Sequence, residues 1–78
     1  MTEAILTEDA AKYVREAVAA LRRRDRTSMR RLRSLLSSEA DVAELRLDSV
    51  KGGRTYRLRR RGLVLIRMLI NAIDNELT

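Results

Sequence analysis

Residues 54–77, RTYRLRRRGLVLIRMLINAIDNEL, constrain the chain more than any other stretch. Leu63, Val64, Leu65, Ile66, Met68, Leu69, Ile70, Ala72 and Ile73 are interrupted only by Arg67 and Asn71. A helix that is apolar on nearly every side has to be covered almost all round, by the rest of its chain or by a copy of itself. Ahead of it, Tyr56 and Leu58 alternate with Arg57 and Arg59. Around Gly62 the apolar period passes from two towards about 3.6, so the stretch reads as a basic strand feeding a helix. The two halves have opposite needs, because the arginines must stay in water or meet phosphate.

The cover available is thin. A chain of 78 residues is one domain, residues 1–78, near the lower limit of what folds alone. It has no Cys, Phe or Trp, so no disulfide or thiolate metal site braces it. At about 25 cal/mol per Å² of apolar surface, such a domain barely offsets its chain entropy. Pairing with a second copy is the simplest remedy. The last helix, over 63–76, is therefore expected to be the most buried element, with Ile66, Leu69, Ile70 and Ile73 inward. The homodimer interface is expected at Leu65, Met68, Leu69 and Ala72.

Upstream, Met1 to Leu6 read as a lead-in, with Ile5 and Leu6 able to pack back. Thr7 followed by Glu8 and Asp9 has the form of a helix start, a hydroxyl cap and then acids at the positive end of the dipole. Ala10, Val14, Ala17, Val18 and Leu21 recur at spacings of three and four, which predicts a helix to about Arg24. Asp25 to Ser28 breaks the pattern, with Thr27 or Ser28 as the next cap. A second helix is predicted over 28–37, with Met29, Leu32, Leu35 and Leu36 inward, and a helical turn through Ala43. Leu45 and Leu47 then alternate with Arg46 and Asp48. Together with 54–60 they flank Gly52-Gly53, which predicts a β-hairpin of strands 44–50 and 54–60. The expected fold is α+β, in the order α-α-β-β-α.

Lys and Arg total 17 against 11 Asp and Glu, a net charge of +6. Only Lys12 and Lys51 are lysines. Arg presents a planar fork suited to phosphate and to guanine edges, although a GC-rich genome also raises the Arg:Lys ratio, so position has to decide. Two clusters stand out. In 22–33, seven arginines are opposed by Asp25 alone, more than helix capping requires. The second is 54–61. The candidate nucleic-acid contacts are Arg22, Arg23, Arg26, Arg30, Arg33, Arg54, Tyr56, Arg57, Arg59, Arg60 and Arg61, with Tyr56 placed to stack on an unpaired base.

The chain has no His, which with the missing Cys removes most nucleophile–base pairs and transition-metal sites. Glu39, Asp41, Glu44 and Asp48 sit among arginines and read as ion-pair partners rather than acid–base catalysts. No enzyme activity, cofactor or metal is expected. The apolar run at 63–73 is too short to cross a bilayer and carries Arg67. With no signal peptide discernible, a soluble cytoplasmic protein is expected.

Gly53-Arg54-Thr55-Tyr56-Arg57-Leu58, then Gly62-Leu63 and an apolar helix, resembles the wing and following helix of winged helix-turn-helix regulators. The likeness spans 53–77, about a third of the chain. That resemblance implies DNA binding, with Arg54, Arg57 and Arg59 on a wing near the phosphates, Gly62 at the strand-to-helix turn, and a last helix that dimerises. Arg59 stands where that pattern has a capping Thr, and 39–44 is short for a recognition helix. The functional expectation is a homodimeric nucleic-acid-binding regulator, on DNA in preference to RNA. The alternative is a small inhibitor or adaptor, of the kind phages encode, that takes an acidic surface of a host protein. The two differ in whether the basic clusters share one face or flank an exposed apolar patch.

Overall fold

Thr7 does start a helix: its Oγ1 accepts from the Ala10 amide at 3.1 Å, and Glu8 and Asp9 occupy the first turn. In the computed structural model, which describes residues 5–78, this is the first of three helices: α1 (Glu8–Arg23), α2 (Arg26–Asp48) and α3 (Gly53–Leu77). Of the lead-in, residues 1–4 lie outside the described residues. Arg24 ends α1 in the left-handed region (φ 55°), with the Asp25 amide donating to the Ala20 carbonyl at 2.9 Å. Asp25 caps α2, accepting from the Ser28 amide at 3.2 Å and its hydroxyl at 2.7 Å. The cap is thus Asp25, not Thr27 or Ser28.

The expected α+β class is overturned: the fold is all-α, and no strand occurs among the described residues. The segments read as strands 44–50 and 54–60 are the end of α2 and the opening turns of α3. With no hairpin there is no wing, so the winged-helix resemblance does not describe this chain. The physical reason lies in the spacing. Leu36, Ala40, Ala43 and Leu47 step by four, three and four, which lines one side of a helix. Leu45, which the alternating pattern would pair with Leu47, points away from the core and is 71% exposed. Only Val50 and Thr55 between 44 and 61 are β-branched, whereas Leu, Arg and Glu favour helix.

Gly52 and Gly53 make the reversal between two helices rather than a hairpin turn. Both have left-handed φ (94° and 86°), where an L side chain is strained. Gly62 is not a hinge either. It is buried inside α3, and a Cβ there would fall on the Ile5 carbonyl oxygen and 2.9 Å from Leu6 Cδ2. The missing side chain lets the segment before α1 lie across α3.

The core is built mainly by α2 and α3, whose contact is the most extensive in the fold. Met29, Leu32 and Leu36 of α2 interlock with Leu63, Ile66, Leu69 and Ile73 of α3. Helix α1 lies more on α2 than on α3, and its buried residues are Ala10, Ala17 and Ala20. Small side chains let it approach closely, and Tyr13, Val14, Val18 and Leu21 pack half-buried against the core beside them. The longest dimension, 38 Å, matches α3, whose 25 residues span about 37 Å at 1.5 Å each. Ile66, Leu69 and Ile73 are inward as expected, while Ile70 is half-buried. The cover is nevertheless incomplete, because Val64, Leu65 and Met68 stay exposed.

Candidate nucleic-acid interface

Helices α2 and α3 run antiparallel, and two arginines mark the register. Arg26 Nη2, at the start of α2, donates to the Leu77 carbonyl at the end of α3 (3.2 Å). Arg59 Nη1, near the start of α3, donates to the Arg46 carbonyl towards the end of α2 (3.2 Å). The two basic clusters therefore sit at opposite ends of the molecule. From Arg57 to Leu77 is about 30 Å along the helix.

The cluster at the α1–α2 corner is partly engaged within the fold. Arg26 satisfies a carbonyl at the end of α3, and Arg33 pairs with Asp74, its Nη2 reaching Oδ2 at 3.2 Å. That hydrogen bond holds the Asp74 carboxyl below its ordinary value and raises Arg33 further. Arg31 approaches Glu16 at 3.9 Å. Asp25, held below its ordinary value chiefly by the Ser28 hydroxyl, stands beside Arg23. Arg22, Arg23 and Arg30 remain exposed.

The α3 cluster is different. Arg54, Arg57, Arg60 and Arg61 are exposed, and none is ion-paired among the described residues. Steps of three and four put Arg54, Arg57 and Arg61 on one side of the helix, turned away from Leu63 and Ile66. No carboxylate occurs anywhere from residue 49 to 73, and the first turn of α3 has no acid to neutralise its dipole. Tyr56 and Arg59, also read as contacts, are half-buried. No protein-family model, curated protein or solved structure matches this chain. What the face does must be argued from the face.

The basic face continues into apolar surface. Arg57, Arg60 and Arg61 join Val64, Leu65 and Met68 around a shallow groove of about 450 Å³. Of the residues read as a dimer interface, Leu65 and Met68 are therefore exposed, Ala72 is half-buried, and Leu69 belongs to the chain's own core. Val64, omitted from that set, completes the patch. Its signal was the step of four from Val64 to Met68, already present in the helix expected over 63–76. Among the described residues no group of His, Cys, Asp and Glu is arranged to hold a metal ion, and no helix is long and apolar enough to cross a membrane.

Proposed function

We propose that this chain is a cytoplasmic nucleic-acid-binding module that grips duplex DNA through Arg54, Arg57, Arg60 and Arg61, serving a regulatory or architectural role. The observation that carries the reading is four exposed guanidinium groups, without an ion pair among the described residues, on one helix that has no acid before Asp74. Guanidinium forks bond phosphate oxygens in two-pronged fashion. Arg54, Arg57 and Arg61, about one helical turn apart, lie along one side of the helix, with Arg60 beside them. The half-buried Tyr56 favours duplex over unpaired bases, since no exposed aromatic ring accompanies the arginines. Arg22, Arg23 and Arg30 lie at the far end of the molecule, so the grip rests on α3 alone.

Each phosphate neutralised on duplex DNA contributes about −0.9 to the log–log salt slope, so four give about −3.6. Between about 50 and 200 mM salt the affinity then falls about 150-fold. Replacing Arg57, Arg60 and Arg61 with Ala leaves one contact of the four, and the same salt change then costs about 3.5-fold. Fluorescence anisotropy with a random duplex measures both slopes. A folded protein that leaves duplex DNA and RNA unbound at low salt overturns the reading. It would move the function to the second one, an adaptor for an acidic protein surface, which the apolar patch beside these arginines supports.

A further inference from the structure

An acidic, apolar surface of the kind that would fit this groove lies on the chain itself. The outward side of α2 presents Asp41, Val42, Leu45 and Asp48, all exposed. Leu45 at 71% is the most exposed large apolar side chain among the described residues, and Val42 stands at 46%. Asp41 and Asp48 have no ion pair among the described residues, whereas Glu44, between them, is held by Arg67. Helical spacing makes this ridge the counterpart of the α3 groove. Along α2 the order is Val42, then Leu45, then Asp48, in steps of three. Along α3 it is Arg61, then Val64, then Met68, in steps of three and four.

We propose that the α3 groove docks the α2 ridge of a second copy, with the two helices antiparallel. Val42 meets Met68, Leu45 fills the groove at Val64 and Leu65, and Asp48 reaches Arg60 and Arg61, so this contact competes with duplex DNA for those two arginines. A parallel arrangement would instead lay the Asp48 carboxylate beside the Met68 side chain and desolvate it without a partner. Groove against groove is also poorer. Parallel, it opposes arginine to arginine; antiparallel, it sets Arg57 and Arg61 against Asn75 and Asn71, which carry no charge. Ridge and groove face away from the shared α2–α3 contact, so two copies cannot satisfy both pairs at once. The contact is head to tail, and each added copy leaves one ridge and one groove open.

Sedimentation of nuclease-treated protein at low salt, without added nucleic acid, tests this independently of DNA binding. The contact rests on a few side chains from each copy, so the concentration series runs into the high micromolar range. The weight-average mass is expected to climb steadily above 9.0 kDa with concentration and to fall back as salt is added. Leu45→Glu blocks the ridge and Met68→Glu the groove. Each alone is expected to sediment as a monomer, and their equimolar mixture as a dimer and nothing larger, because one keeps a groove and the other a ridge. Leu45→Ala and Met68→Ala serve if a glutamate disturbs the fold by circular dichroism. Association of Leu45→Glu equal to that of the unaltered chain would assign the contact to α3 against α3 and overturn the proposal. So would a mixture that stays monomeric, or an unaltered chain that remains at 9.0 kDa throughout.

Discussion

Changing Gly62 to Ala sets two opposed effects against each other within one methyl group. In an open helix the change stabilises by about 0.8–1 kcal/mol, because glycine pays more backbone entropy than alanine. Here the new Cβ would press against the Ile5 carbonyl oxygen and come within 2.9 Å of Leu6 Cδ2, where carbons rest at about 3.5–4 Å. A backbone oxygen has no rotamer to escape into, so the segment ahead of α1 must lift. Lifting it exposes the packed half of Leu6, roughly 1 kcal/mol, and uncovers Leu63 and Ala10 beneath it. It also disturbs the neighbouring Thr7 cap, about 1 kcal/mol more. The balance is a net loss of about 1–2 kcal/mol, which at this size lowers Tm by about 5–10 °C. Thermal melting by circular dichroism reads it directly. In a chain shortened to begin at Thr7 the clash is gone, and the same substitution should raise stability. A Gly62→Ala protein that melts higher than the full-length parent would refute the account of this glycine.

Leu36, fully buried at the centre of α2, should cost about 3 kcal/mol when cut to Ala, a large part of the few kcal/mol a domain of this size holds, while Leu45→Ala should change urea stability by under about 0.5 kcal/mol. Asp25 and Asp74 both titrate below their ordinary value in the folded chain, so their contribution is complete above about 3.9 and is lost as pH falls through the folded values. Urea midpoints followed from neutral to acid pH should show that loss, and Asp25→Asn together with Asp74→Asn should flatten it.

The start of α1 was legible because Thr7, Glu8 and Asp9 carry their signal locally, in a hydroxyl and two charges next to free amides. The inward positions of Met29, Leu32, Leu36, Ile66, Leu69 and Ile73 were legible too, since helical period alone places them. What misled was the run from 44 to 61. Over five residues a period of two and a period of 3.6 fit the same apolar positions. The paired glycines then supplied a turn that suits a hairpin and a helix reversal equally well. The scarcity of β-branched residues there was the available warning. Among the arginines, sequence located both clusters but not their distance apart or their partners. That Arg33 meets Asp74 across 41 positions, or that Arg26 meets the last residue of α3, depends on the antiparallel packing of α2 and α3. Nothing within a window of residues contains it.

The alanines of α1 also set how this molecule opens. All the large side chains that are fully buried, Met29, Leu32, Leu36, Ile66 and Ile73, belong to α2 and α3. Helix α1 contributes its three buried alanines and the half-buried Tyr13, Val14, Val18 and Leu21, but no large side chain that is fully enclosed, so its release costs less than parting the other two. Stability is therefore graded along the chain, with a hairpin of two long helices as the most persistent unit and α1 as the first part to detach. Native-state hydrogen exchange would show this order, the amides of Ala17 and Ala20 trading with solvent through a partial opening while those of Leu36 and Ile66 wait for global unfolding.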